Sequence, residues 1–188
     1  MVLLAMLRHG DTPWSAEGRI QGRCDPSLTG EARERLRSFR LPRACAGMRI
    51  VTSPLARCVE TAALLGAPQA QREARIAEMS WGAWEGRRLA DLRAEFGAQM
   101  SDNEARGWDF RPAGGESPRE VLARVRAWLA GLTEPTLAVT HRGVIRAVYA
   151  HAAGWDMRGR PPVKLAWDAV HVFRVQAGEL AIDSVNLR

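Results

Sequence analysis

The stretch Leu3-Leu4-Ala5-Met6-Leu7-Arg8-His9-Gly10 constrains this chain more than any other. An apolar run of strand length, roughly Val2 to Leu7, ends abruptly in a basic pair and a glycine. A buried strand of this kind delivers two phosphate-compatible side chains to its carboxyl end. In open α/β sheets that is the edge where ligands bind. The plainer reading is a buried first strand followed by an ordinary basic turn, and the rest of the chain has to decide between them.

The pattern recurs. Arg49-Ile50-Val51-Thr52 reads as a second strand, and Ser53-Pro54 supplies an N-cap and a proline for the first helical position. A helix over Leu55 to Leu65 then carries Arg57 in its first turn, where free backbone N–H groups favour anions. Thr136 to Thr140 is a buried-type strand that ends at His141, with Arg142-Gly143 leading into a helix through Ala153. Between these lie a long loop over Thr12 to Leu28, a helix over about Gly30 to Phe39 capped by Thr29, and an extended segment near Gln71 to Ile76. A helix over Arg88 to Phe96 precedes an irregular stretch from Gly97 to Ala113. Another helix opens on the capping box of Ser117 and Glu120 with Pro118 at its first position. Late strands are expected over Lys164 to Trp167, Ala169 to Val175 and Leu180 to Val185, the last two joined by a hairpin at Gly178. Alternating strands and helices indicate an α/β domain with a mainly parallel sheet.

Composition narrows the functional classes. A length of 188 residues, nearly half hydrophobic, suits one globular domain with a sizeable core. No apolar run approaches the ~20 residues of a membrane helix, and Met1 to Leu7 lacks a basic leader, so a soluble, cytoplasmic protein with no membrane partner is expected. Cys24, Cys45 and Cys58 have neither the density of a disulfide scaffold nor the spacing of a zinc site. The net charge of +6 rests almost wholly on arginine, Lys164 being the one lysine. Arginine favours bidentate recognition of phosphate and carboxylate. The charge is spread along the chain with no polybasic tail, so no nucleic-acid partner is expected.

Three strands therefore end in polar or basic groups: Arg8-His9, then Ser53 with Arg57, then His141. In a parallel sheet these ends converge on one edge, and two arginines with two histidines make a site for a dianionic phosphate. No aspartate pair, HExxH sequence or Cys/His cluster accompanies them, which disfavours a metal site. Among the other conspicuous residues, His151 and His171 read as surface or satisfied core histidines, and Trp108, Trp128, Trp155 and Trp167 as packing residues.

With these residues in view, the chain resembles the histidine phosphatase superfamily, also called the phosphoglycerate mutase-like family. Leu7-Arg8-His9-Gly10-Asp11-Thr12 is similar to its signature, and Gly18-Arg19-Ile20-Gln21-Gly22 to its next loop. Ser53-Pro54-Leu55-Ala56-Arg57 followed by Glu60-Thr61-Ala62 resembles the second phosphate-binding segment, Glu78 with Gly82-Ala83-Trp84-Glu85-Gly86 the acid-bearing loop, and Thr140-His141-Arg142-Gly143-Val144-Ile145-Arg146 the last signature. The matches run in family order over most of the chain. The resemblance implies a three-layer α/β/α sandwich with a mostly parallel central sheet, one domain over residues 1–188, and a small cap within about 78–114. It also implies roles. His9 is the nucleophile that becomes phosphorylated, Arg8, Arg57 and His141 hold the phosphoryl oxygens, and Glu78 protonates the leaving oxygen. Ser15, Arg19 and Gln21 are the substrate-side contacts. No cofactor and no metal are implied; the partner is a small phosphorylated substrate.

Two positions depart from the family pattern. Ser15 stands where asparagine commonly follows the nucleophile by six residues, and Ala32 stands where a glycine is usual. Glu85 is a second carboxylate near Glu78 and is read as structural. The expected activity is a metal-independent phosphomonoesterase acting through phosphohistidine, with a compact chain resembling α-ribazole phosphatase-like proteins. A phosphoglycerate mutase-type transfer, a noncatalytic phospho-ligand-binding regulator and a basic nucleic-acid binder are the competing readings, and the oligomeric state stays open.

Overall fold

A computed structural model describes residues 1–188. The chain forms strands β1 (Val2–Arg8), β2 (Arg49–Thr52), β3 (Gln71–Arg72), β4 (Thr136–Thr140), β5 (Val170–Gln176) and β6 (Glu179–Leu187). The helices are α1 (Pro13–Ala16), α2 (Gly30–Ser38), α3 (Ala56–Leu64), α4 (Leu89–Glu104), α5 (Pro118–Leu129) and α6 (Arg142–Ala152). The strands make one sheet in the order β3-β2-β4-β1-β5-β6. β3, β2, β4 and β1 are parallel, and β5 and β6 add an antiparallel edge.

Side-chain alternation along β1 shows why the sheet is covered on both faces. Leu4 and Met6 point into one hydrophobic cluster with Val121, Val125 and Leu129 of α5 and Val144, Ile145 and Val148 of α6. Ala5 and Leu7 point the other way, toward Leu137, Val170 and Val172. On that side α3 packs Cys58 and Ala62 on Val139, and α2 packs Ala32 and Leu36 beneath Leu64 and Leu65. The result is the expected three-layer α/β/α sandwich. A separate apolar cluster of Trp84, Leu92 and Met100, bordered by Trp81, Leu89, Phe96 and Phe110, holds together the segment between β3 and α5. No helix is long and apolar enough to cross a membrane.

Several local expectations change. The Thr12–Leu28 stretch is not loop throughout: Thr12 and Ser15 form a capping box that nucleates α1. Ser53 is not the cap of α3. Leu55 is, and the backbone N–H groups of Ala56 and Arg57 donate to the Asp25 carboxylate, which takes the place foreseen for an anion. β3 stops at Arg72, after which Glu73 caps a single 3₁₀ turn over Ala74–Ile76. α4 runs past Phe96 through a kink at Gly97, whose φ of 48° only glycine adopts freely. Lys164 to Trp167 is not a strand; Asn186 ties it down, accepting from the Ala166 N–H and donating to the Lys164 carbonyl. His171 is buried and hydrogen-bonded, His151 half-buried, and all four tryptophans named above pack on the main core.

Candidate active site

The parallel register brings the three strand ends together. The His9 N–H donates to the Thr140 carbonyl (3.0 Å) and the Ser53 N–H to the Val139 carbonyl (2.9 Å), so residues 9, 141 and 53 leave neighbouring strands side by side. The His9 and His141 rings meet edge to face with centroids 5.2 Å apart.

His9 is 4% exposed. Its Nδ1 lies 2.6 Å from the Gly10 carbonyl, which can only accept, so Nδ1 carries the ring proton and Nε2 keeps its lone pair. The Arg57 Nε–H donates to that Nε2 at 3.2 Å. Burial first, and then the charges of Arg8 and Arg57, hold the imidazole well below its ordinary pKa. A neutral ring with an aimed lone pair is the form a nucleophile needs.

Arg57 is fully buried, a position that costs free energy unless its donors are met. Its Nη1 donates to the Cys24 carbonyl (2.8 Å) and to Asp25 (3.1 Å), and Nη2 to the Gly22 carbonyl (2.8 Å). The Gly18–Pro26 loop is thereby wrapped around the guanidinium. His141 is equally buried; its Nε2 lies 2.7 Å from the Ser53 hydroxyl and 3.4 Å from Cys58 Sγ. Burial, His9 and Arg57 together push its pKa well down, so it too is neutral. Cys58 stays a thiol, its pKa raised by burial.

Glu78 accepts hydrogen bonds from the N–H groups of Met79 (2.8 Å) and Gly143 (3.1 Å). Burial still outweighs these bonds and the charge of Arg57, and its pKa is raised. Glu85 differs. Burial works upward on it as well, but the N–H groups of Arg23, Cys24 and Trp81 overcome that and hold it below the usual carboxylate range. Of the two carboxylates, Glu78 is the one poised to hold a proton, and Glu85 is a loop anchor.

Arg8, His9 and Glu78 line a cleft of about 330 Å³ together with Ser15, Arg19, Gln21, Trp81, Leu89, Arg142 and Arg146. Arg57 and His141 sit beneath it, behind His9. Arg8 reaches Asp11 at 3.4 Å. The Ser15 hydroxyl accepts the Thr12 N–H at 3.0 Å and lies 3.3 Å from Asp11, so it is engaged in closing α1. Gln21 accepts the Thr12 hydroxyl at 2.9 Å, and Arg19 pairs with Glu17 at 2.8 Å on the rim. Sequence reasoning missed Asp25, the Ser53–His141 bond, and Arg142 and Arg146. The spacing of 142 and 146, four apart and just beyond a strand end, was a signal for the last two.

The family model described as histidine phosphatase superfamily (branch 1) matches residues 4–188. A 2,3-bisphosphoglycerate-dependent phosphoglycerate mutase of Beijerinckia indica is 28% identical, with 93% of this chain and 92% of that protein covered. A glucosyl-3-phosphoglycerate phosphatase of Mycolicibacterium vanbaalenii is 30% identical, with 84% and 77% covered. Among solved structures, a mycobacterial glucosyl-3-phosphoglycerate phosphatase complexed with VO3 superimposes with a TM-score of 0.81 at 26% identity, with 100% of both chains covered. Strand ends that gather Arg57 and His141 against His9, with Arg8 and His9 lining the cleft, and a family match that spans the chain, place this protein in the histidine phosphatase superfamily (branch 1), as an enzyme of phosphoryl transfer.

Proposed function

We propose that the protein is a metal-independent phosphomonoesterase that turns over through phosphohistidine on His9. The carrying observation is the His9 Nε2 lone pair, fixed by the bond from Nδ1 to the Gly10 carbonyl and aimed at by Arg57. Nε2 attacks phosphorus, the P–O bond to the alcohol breaks, and Glu78 gives its proton to the departing oxygen. As the P–N bond forms, the Arg57 N–H loses its acceptor and turns to a phosphoryl oxygen, with Arg8 beside it and His141 behind. Charge developing on those oxygens meets donors already in place. Glu78, now a carboxylate, takes a proton from the water that attacks the phosphohistidine. The P–N bond breaks, the lone pair returns to Nε2, and Glu78 is again protonated. The cationic surroundings of His9 repel a metal ion and need none.

The segment 78–114 serves as a small cap, and residues 1–188 act as one catalytic unit. A mutase must retain its intermediate away from water; so short a cap favours hydrolysis. The resemblance to α-ribazole phosphatase-like proteins puts α-ribazole phosphate in the substrate panel.

The test is p-nitrophenyl phosphate hydrolysis in excess EDTA, with rapid acid quench and mass spectrometry. Wild type is expected to turn over in EDTA. His9→Ala should lose turnover and labelling together, whereas Glu78→Gln should accumulate phosphate on His9, because the first step survives with a good leaving group and hydrolysis lacks its base. Phosphate on another residue, or activity restored only by a divalent ion, would overturn the proposal.

A further inference from the structure

The loop that carries Glu78 is fastened from outside the cleft. Arg124, on α5, spends its whole fork on this junction. Its Nη1 donates to the Arg75 carbonyl (2.6 Å) and its Nη2 to the Glu78 carbonyl (3.2 Å), while Nε and Nη2 meet the two oxygens of Glu116 (3.0 and 3.2 Å). Glu116 also receives the Ser80 N–H (2.8 Å) and, at 3.4 Å, Arg23, whose neighbours Gly22 and Cys24 accept from Arg57. The Glu116 N–H in turn donates to the Ser80 carbonyl (2.9 Å). A Cβ on Gly115 would lie 2.6 Å from that same carbonyl, so the two segments touch backbone to backbone.

Starting α5 does not require this pair, because Ser117 and Glu120 complete the capping box without it. A largely buried ion pair is also a poor route to stability. What it does reach is the backbone on either side of the proposed acid: the carbonyl of Glu78 itself and the N–H two residues on. Arg124 brings a positive charge toward the Glu78 carboxyl as well. Arg8 on β1, Arg57 and Cys58 on α3, Arg142 and Arg146 on α6, and His9 also face it. Positive neighbours favour a carboxylate over its acid. Glu116 stands against the charge of Arg124 and is itself ionised: burial works upward on its pKa, but Arg124, the Ser80 N–H and the charge of Arg23 overcome that.

We propose that Glu116 and Arg124 are positioning residues for proton transfer at Glu78: the fork fixes the backbone that carries the acid, and the Glu116 carboxylate offsets the α5 charge beside it. The inference rests on the reading of Glu78 as the acid and adds the two groups that act through it.

The two halves of the pair predict shifts of opposite sign. Glu116→Gln leaves the Arg124 charge unopposed, so Glu78 should lose its proton at lower pH. Arg124→Gln leaves the Glu116 charge unopposed, so Glu78 should keep its proton to higher pH. Each shift should be about half a pH unit or more, read in an NMR titration of the Glu78 carboxyl and in the basic limb of kcat/KM for phenyl phosphate. Arg124→Lys keeps the charge and loses the fork. Its Glu78 titration should stay near wild type, while kcat/KM falls about tenfold further for phenyl phosphate than for p-nitrophenyl phosphate, whose leaving group needs little protonation. A merely structural pair would slow both esters alike and leave the titration in place. Equal losses on the two esters in Arg124→Lys, or titrations that stay put or move the same way in the two glutamine variants, overturn the proposal. If a glutamine variant does not fold, Glu116→Asp joins Arg124→Lys, since it keeps the charge and withdraws it from the Ser80 N–H; the ester ratio then decides. If Glu78→Gln keeps the wild-type ratio of the two esters, the acid reading fails instead, and the NMR titration still decides whether the pair governs the Glu78 proton.

Discussion

At the scale of single residues, Arg57 carries three tasks on one side chain: it donates to the His9 lone pair, lowers the His9 pKa and clamps the backbone carbonyls of Gly22 and Cys24. Arg57→Ala is expected to reduce kcat/KM by at least ~100-fold, as for loss of a charge-stabilising donor. Arg57→Lys should recover little, because one ammonium cannot span the His9 nitrogen and the two carbonyls that the planar fork meets together. In Arg57→Ala the His9 pKa, followed by NMR, should rise, because one of the two charges that lower it is gone, whereas Arg57→Lys keeps that charge and should leave the pKa low. Near wild-type rates in folded Arg57→Ala would remove it from the mechanism. Arg8, His9, Arg57 and His141 could be read from sequence because each stands at or just past a strand end. The Ser53 hydroxyl could not. Ser-Pro before a helix is a cap by every local rule, and its true partner, His141, lies far along the chain.

At the scale of elements, the first turn of α6 is what holds Glu78. The Gly143 N–H donates to the carboxylate, and a Cβ at Gly143 would overlap Glu78 Oε1. Helix propensity alone favours alanine there by about 1 kcal/mol. The overlap should dominate, since a catalytic group displaced by an ångström can cost about 100-fold in rate. Gly143→Ala is therefore expected to fold and, with Glu78 as the proposed acid, to lose activity most with poor leaving groups; equal activity on alkyl and nitrophenyl phosphates would separate α6 from Glu78. The capping box of α5 and the Thr29 cap of α2 were both legible, because their partners lie three residues away. The Asp25 carboxylate on α3 was hidden for the opposite reason, as its partners come from a different segment.

At the scale of the molecule, the fold encloses His9, His141 and His171 in forms whose pKa values all lie below 6.5. The unfolded chain binds protons on these rings as pH drops through 6.5, and the folded chain resists, so stability is full above that pH and is lost below it. Glu78 opposes: its raised pKa favours the fold at low pH and loses that contribution as pH rises from 4.5 through its folded value. Three imidazoles against one carboxyl give a net fall, and the urea midpoint is expected to drop between pH 7 and pH 5. A flat or rising midpoint over that interval would show that the histidines titrate normally. The sheet class and its parallel core followed from the alternation of strands and helices. The two-sided burial of β1 was present in Leu3 to Leu7, whereas the failed strand at Lys164 to Trp167 shows how side-chain ties from Asn186 can overrule an apolar run.

The position of β1 carries a consequence for how the enzyme comes into being. It is the first strand of the chain, yet its two neighbours in the sheet are β4 and β5, both from the distant carboxyl-terminal part. As the chain leaves the ribosome, Arg8 and His9 emerge well ahead of β4 and β5 and have no sheet to stand on until those strands have been made. Contacts of such long range are slow to close. Until they do, β1 offers two open edges and an apolar surface on both faces, a natural client for a chaperone, and catalytic competence is among the last properties the nascent chain acquires.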